Sequence, residues 1–146
     1  MDAAPRSTPG HVWAVGVFAL LFNAIGVFDY TMNQLQGPRY LASAGMTPGQ
    51  VAHDQAMPGW MMVVWAVGVF GAFGASVLVP MRRALAAPVF AVSLTAFLIS
   101  VLYNDVLTNG GALMGRQMAI ISAVIAGLLL LFIVHSRAMA ARGVLR

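Results

Sequence analysis

Two clusters of polar side chains stand at the ends of apolar segments, and their residue types suit the binding of a ligand or an ion. Each cluster combines an aspartate, a tyrosine and an asparagine within a few positions. Ionisable side chains at membrane depth are costly to bury and often serve a function. The six candidate ligand-binding residues are Asp29, Tyr30, Asn33, Tyr103, Asn104 and Asp105.

The segments that carry these clusters are long enough to cross a membrane. Hydrophobic residues make up 60% of the 146-residue chain and charged residues 8%, whereas about a quarter of a soluble domain is charged. A span needs about 20 mostly apolar residues. We therefore predict an all-α, polytopic membrane protein whose single domain, residues 1–146, is a four-helix bundle. The predicted spans are residues 11–34, 59–80, 85–107 and 113–135.

The arginines are distributed unevenly around these spans. Six of the eight basic residues fall in the N-terminal tail, in the loop after the second span and in the C-terminal tail: Arg6, Arg82, Arg83, Arg137, Arg142 and Arg146. These three pieces share one face if every segment spans. The positive-inside rule then predicts that both termini are cytoplasmic and that residues 32–60 lie outside. The net charge is +4. We interpret it as the result of arginines that flank the spans and contact anionic lipid headgroups, so no nucleic-acid partner is expected.

A helix start is encoded in the loop between the first two spans. Thr47 can cap a helix, Pro48 suits the first helical position, and Gln50 completes a capping box. We predict a short helix over residues 48–56, lying on the outer surface.

The two polar clusters should converge at the outer mouth of the bundle. The first and third spans run in the same direction, and each turns polar after a similar length, so Asp29 and Asp105 should lie at the same height. The short helix should partly cover them. Two carboxylates facing one another repel unless a cation intervenes. Pairing with Arg39 and Arg116 would make the cluster structural, whereas unpaired carboxylates would indicate a ligand or ion site, and both interpretations stay open.

Small residues recur in each span at spacings of three and four. Such stripes let helix backbones approach closely in membranes. They serve either bundle packing or a homo-oligomer interface. In the first span the stripe contains Asn23, which we predict to be buried against another helix. The stripes, with the larger polar residues that continue two of them, are Gly16, Ala19, Asn23, Gly26, Tyr30, Asn33; Gly68, Gly71, Gly74, Ala75; Ser93, Ala96, Ser100, Tyr103; and Ala119, Ala123, Gly127.

Several kinds of chemistry find no support in the sequence. The chain has no cysteine, which excludes disulfides and thiolate metal sites. There is no phosphate-binding loop, nucleophile elbow or paired-histidine metal motif. Methionine thioethers beside His53 would suit copper(I), but no tight Met-x-x-Met cluster supports such a site, and methionine is a common apolar filler. We expect no enzyme, no cofactor and no metal site.

Several short motifs resemble those of small four-helix bacterial inner-membrane proteins of unknown function, some of which carry an automatic sugar-transporter label. The motifs are Asp29-Tyr30-Thr31-Met32, Pro58-Gly59-Trp60, Trp65-Ala66-Val67-Gly68-Val69-Phe70-Gly71 and Arg82-Arg83. The resemblance implies a place in the bacterial inner (cytoplasmic) membrane and supplies no functional residues.

Three functions are consistent with these features. The first is a non-enzymatic accessory or scaffold subunit, as a homo-oligomer or within a larger membrane complex. The second is a dimeric small-solute transporter. Small multidrug-resistance transporters match in size, but they use a membrane-embedded glutamate in the first helix, where this chain has Asn23 and no glutamate at all. The third is a sensor that binds a ligand in the outer polar cluster.

Overall fold

The described part of the chain is mostly helical. The computed structural model describes residues 8–146, which form six α-helices and one π-helix and contain no strand. This confirms the predicted all-α class, while Arg6 and the rest of the polar tail before residue 8 lie outside the described residues. The elements are α1 (Gly10–Gln36), α2 (Pro38–Ser43), α3 (Pro48–Gln55), α4 (Gly59–Leu78), α5 (Ala86–Val101), the π-helix (Leu102–Leu107) and α6 (Gly110–Ala141).

Four helical segments are long and apolar enough to cross a membrane. They are Gly10–Gln36, Gly59–Leu78, Ala86–Leu107 and Gly110–Ala141. The chain is therefore an integral membrane protein built as a four-helix bundle. The last segment starts three residues before the predicted position 113 and is interrupted at Gly115, whose φ of 78° favours glycine.

The bundle has two distinct ends. We call the end where residues near the N terminus, the connection 79–85 and the C-terminal residues meet the terminal end. The opposite end, which carries α2, α3 and the connection 108–109, is the loop end. The cytoplasmic location of the terminal end stays a prediction.

The small-residue stripe of α1 packs against α4. A Cβ added at Gly16 would lie 3.1 Å from Pro80 Cδ, so α1 and the segment that follows α4 approach closely near the terminal end. Asn23 is 7% exposed. Its amide donates hydrogen bonds of 2.9 Å to the Ala19 carbonyl oxygen and 2.8 Å to Ser76 Oγ on α4. The prediction that Asn23 is buried against another helix is confirmed.

The glycine stripe of α4 faces the small residues of α5. A Cβ added at Gly71 would lie 2.5 Å from Ser93 Oγ, and one at Gly68 would lie 3.8 Å from Ala96 Cβ. Only small side chains allow this approach, so these two stripes serve packing within the chain.

The small-residue stripe of α6 differs from the others because it faces outward. Ala119, Ala123 and Gly127 are exposed, and open space surrounds the Cβ position of Gly127. The residues that α6 buries are Gly110 at its start and, nearer the terminal end, Leu129, Phe132, Ser136 and Met139. Large side chains rather than small ones therefore hold α6 in the bundle.

The C-terminal residues close the terminal end. The Arg146 N–H donates a 2.7 Å hydrogen bond to the Arg82 carbonyl oxygen, and the Ala84 N–H donates one of 2.9 Å to the Arg146 carbonyl oxygen. Val144 and Leu145 are buried. The tail is thus fixed to the connection between α4 and α5 by backbone bonds and by apolar burial.

A candidate ligand site at the loop end

Two adjoining cavities occupy the half of the bundle towards the loop end. The first has a volume of about 610 Å³ and lies between α1 and α6. The second has a volume of about 260 Å³ and lies at the loop end beside α2 and α3. Their shared wall consists of Asp29, Tyr40, Trp65, Phe97 and Ser100. The first cavity alone falls within the ~300–1,000 Å³ typical of small-molecule sites.

Asp29 stands where the two cavities meet, and Tyr40 holds it there. After α1 the chain turns at Gly37, whose φ is 52°, and Pro38 starts α2. This turn brings the Tyr40 hydroxyl to Asp29 Oδ1, to which it donates a 2.7 Å hydrogen bond. That bond raises the pKa of Tyr40, with smaller contributions from desolvation and from the carboxylate charge. Tyr40 was not predicted, because α2 is too short to show a periodic pattern.

The capping box of Thr47 and Gln50 starts α3 as predicted, with both reciprocal hydrogen bonds present. The helix carries Asp54 towards α1. Asp54 Oδ2 accepts a hydrogen bond of 3.3 Å from the buried amide of Asn33 and one of 3.4 Å from Gln55. The short helix therefore supplies a carboxylate to the second cavity in addition to covering it.

The π-helix places the second polar cluster. Its wider turn is marked by the Thr108 N–H, which donates a 3.1 Å hydrogen bond to the Tyr103 carbonyl oxygen five residues earlier. Asn104 Oδ1 lies 2.8 Å from His53 Nε2 on α3. Because the amide oxygen can only accept, the histidine nitrogen donates. The Asn104 amide in turn donates a 3.0 Å hydrogen bond to Asp105 Oδ1.

A second bond fixes α3 over the loop end, since the Gln50 side chain donates a 3.1 Å hydrogen bond to the Leu113 carbonyl oxygen of α6. Gly110 makes the packing beneath α3 compact. A Cβ added there would collide with the Asn104 carbonyl oxygen and lie 2.6 Å from His53 Nε2. The helix α3 is thus hydrogen-bonded to α1, to the π-helix and to α6.

Four of the six predicted site residues line the second cavity: Asp29, Asn33, Asn104 and Asp105. The two tyrosines do not. The Tyr30 ring packs edge-on against Trp65, with centroids 4.9 Å apart, and Tyr103 packs against Trp60 at 5.0 Å. They brace α4 rather than face the cavity. A ligand-binding role for the other four stays a prediction.

Methionine side chains form much of the remaining wall of the second cavity. They are Met46, Met57, Met61, Met62, Met114 and Met118. Methionine is flexible and polarisable, and it adapts to ligands of different shape. In the part of the chain from residue 8 onward, no group of three histidine, aspartate or glutamate side chains is arranged to hold a metal ion. The wall is therefore suited to soft, apolar contact.

The second cavity is lined by three acidic side chains and by no basic one among the described residues. Asp29, Asp54 and Asp105 all line it, and their hydrogen-bond donors are the neutral groups described above. Within residues 8–146, neither Arg39 nor Arg116 forms an ion pair with these carboxylates. A concave site lined by one sign of charge concentrates ions of the opposite sign. Trp65 lies on the shared wall, and aromatic rings of this kind attract cations.

Comparison of the chain with protein-family models, with curated proteins and with solved structures finds no match. The resemblance to small bacterial inner-membrane proteins consequently stays a prediction.

Proposed function

We propose that this integral membrane protein binds an organic cation in the cavity at its loop end and acts as a ligand-binding or sensing protein. The observation that carries the proposal is the set of three aspartates on one cavity, with which neither Arg39 nor Arg116 forms an ion pair in the described part of the chain. The sequence left open whether Arg39 and Arg116 neutralise the cluster. Because neither arginine forms an ion pair with the cluster within residues 8–146, the sensor hypothesis is favoured over a purely structural role.

The remaining wall favours an organic cation over a metal ion. Trp65 and Phe97 contribute aromatic rings, and six methionines contribute thioethers. Aromatic faces attract ammonium groups by about 0.5–2 kcal/mol, and thioethers give adaptable apolar contact. Hard metal ions instead require several oxygen ligands around one point. We propose that the cavity faces the outside of a bacterial inner membrane, with both termini cytoplasmic, so that it samples external solutes.

Binding can be measured with benzyltrimethylammonium and the fluorescence of Trp65. The chain has three tryptophans, so Trp13→Phe and Trp60→Phe leave Trp65 as the reporter. We expect saturable quenching of the protein purified in a nonionic detergent. Neopentylbenzene, the neutral isostere, should give none. Asp29→Asn and Asp105→Asn should each weaken binding about two- to fivefold, the effect of a partly exposed charge pair.

The two tyrosines outside the cavities supply matched controls, because Tyr30→Phe and Tyr103→Phe should leave the affinity unchanged. Equal quenching by the neutral isostere would contradict the proposal. Saturable binding of Ag⁺, used as a soft-metal probe, would also contradict the proposal if benzyltrimethylammonium does not bind.

A second candidate function, the scaffold subunit, is favoured by the outward stripe of α6. Ala119, Ala123 and Gly127 leave a smooth exposed face of the kind that packs against helices in membranes. Disulfide crosslinking of Ala123→Cys, compared with the equally exposed Val92→Cys on α5, tests this role. Selective dimer formation through position 123 would support a homo-oligomer.

A further inference from the structure

We infer that the ligand is an amphiphilic cation whose apolar chain enters from the lipid through the cleft between α1 and α6. This inference rests on the proposed function and adds the ligand class and the route. It starts from the first cavity, which the cation-binding argument leaves without a role. That cavity is larger than the second one, with about 610 Å³ against 260 Å³.

The cleft exists because α1 and α6 meet at one end only. Near the terminal end, Phe18 contacts Phe132 with ring centroids 6.2 Å apart, and His11 contacts His135 at 5.6 Å. Towards the loop end, residues of both helices line the first cavity, together with residues of α4 and α5. A space of about 610 Å³ therefore lies between α1 and α6 there, and this space is the cleft.

The cleft opens sideways into the membrane. Ile25 and Phe28 on α1, at its rim, are 67% and 59% exposed, and Val124 on α6 is 52% exposed. All three line the cavity and lie within segments that are long and apolar enough to span a membrane. An apolar opening at this depth faces hydrocarbon and not water.

The lining of the cleft changes from mostly apolar at its deep end to charged at the loop end, which matches the apolar chain and charged head of an amphiphile. The deep end is closed by Asn23, Ala72 and Leu129, and the middle is lined by aliphatic and aromatic side chains. The carboxylate of Asp29 stands at the loop end, on the wall shared with the second cavity. A cationic head beside Asp29 would place an attached alkyl chain between α1 and α6. The attraction between this head and the Asp29 carboxylate distinguishes the ligand from a neutral lipid.

The test uses a dodecyltrimethylammonium analogue with a diazirine at the end of its chain. The protein is placed in nanodiscs of phosphatidylcholine, the probe is activated by light, and labelled residues are mapped by mass spectrometry. We expect labelling concentrated at the deep end of the cleft, on residues such as Phe22 and Leu129, and competed by excess dodecyltrimethylammonium. An analogue of dodecanol with the same diazirine should label the exposed faces evenly.

A cleft-filling substitution and its matched control sharpen the result. Val124→Trp should reduce cleft labelling at least tenfold while leaving benzyltrimethylammonium binding intact, with binding measured here by calorimetry because a new tryptophan would add to the fluorescence of Trp65. Leu131→Trp changes an equally exposed residue of α6 that does not line the cleft, and it should alter neither measurement.

The outcomes separate the inference from the function on which it rests. If benzyltrimethylammonium binds but the alkyl probe labels all lipid-facing residues evenly, lateral access is wrong and the binding function stands. If neither cation binds, both fail. Efficient disulfide formation between one copy that carries Ile25→Cys and another that carries Val124→Cys would show that a second copy fills the cleft. This result would also overturn the inference.

Discussion

The amide of Asn23 on α1 donates a 2.8 Å hydrogen bond to Ser76 Oγ on α4, and Ser76 donates one of 2.7 Å to the Ala72 carbonyl oxygen. Both side chains are buried. Within residues 8–146, α1 packs most extensively against α4, and this pair joins the two helices at the depth where the cleft ends.

Removing this bond should destabilise the bundle measurably. Interhelical hydrogen bonds in membranes contribute about 0.5–2 kcal/mol, so Asn23→Leu and Ser76→Ala should each lower the melting temperature in detergent. The double variant should lose less than the sum of the single losses, because both substitutions remove the same bond. Additive losses would indicate that the two residues act independently.

Gly71 should be far less tolerant of a methyl group than Gly74. Because a Cβ at Gly71 would lie 2.5 Å from Ser93 Oγ, Gly71→Ala should cost about 1–3 kcal/mol through overpacking. Gly74 is in the same helix with nothing within 4 Å of its Cβ position, so Gly74→Ala should be neutral or stabilise by up to about 1 kcal/mol. Thermal unfolding checks both, and Ser93→Ala should partly rescue Gly71→Ala.

Gly110→Ala should loosen α3 without unfolding the spans. The added methyl group would occupy the space of the Asn104 carbonyl oxygen and of His53 Nε2, so the hydrogen bond between His53 and Asn104 would break. We expect faster hydrogen exchange of the α3 amides and unchanged exchange in α4. The control is Gly127→Ala, whose Cβ meets open space. Unchanged exchange in α3 would show that other contacts hold the cover.

Tyr40 should ionise above its ordinary pKa of 10.0, because its hydroxyl donates to Asp29. Since the folded-state pKa is raised, this bond stabilises the folded protein fully below pH 10 and is lost as the pH rises through the folded-state pKa. Tyr30→Phe and Tyr103→Phe leave Tyr40 as the only tyrosine of the three. Phenolate absorbance should then titrate at lower pH after Asp29→Asn. An unchanged midpoint would contradict the assigned cause.

The predicted orientation can be tested by labelling single cysteines, because the chain contains none. Ala44 at the loop end and Ala141 at the terminal end are both exposed. A membrane-impermeant maleimide added to intact cells should modify Ala44→Cys, and it should modify Ala141→Cys only after the cells are lysed. The reverse pattern would invert the topology and place the cavity in the cytoplasm.

The features that could be predicted from the sequence are those written in local patterns. Apolar length locates the spans, and Thr47 with Gln50 marks the start of α3. The burial of Asn23 follows from its place in a small-residue stripe. Asp29 and Asp105 were expected at one mouth because parallel helices turn polar at similar lengths, and both line the second cavity.

The features that could not be predicted depend on contacts between distant residues. Nothing local distinguishes Leu102–Leu107 from a continued α-helix, although the π-helix orients Asn104 towards His53. The outward stripe of α6 was indistinguishable from a packing stripe, because Leu129 and Phe132 decide which face is buried. The cleft between α1 and α6 depends on which face of α6 is buried, so the sequence did not predict it.

The backbone pairing of residues 144–146 with residues 82–84 has a consequence for the direction of traffic. Neither cavity includes a residue of this tail, and Leu145 is 2% exposed. Releasing it would expose the side chains of Val144 and Leu145, at about 1.5–3 kcal/mol each. If the proposed function is right, a solute that enters either cavity from the loop end or from the bilayer would leave without passing the docked tail. We therefore expect reversible binding without net transport, and transport past the terminal end would require the tail to undock once per turnover.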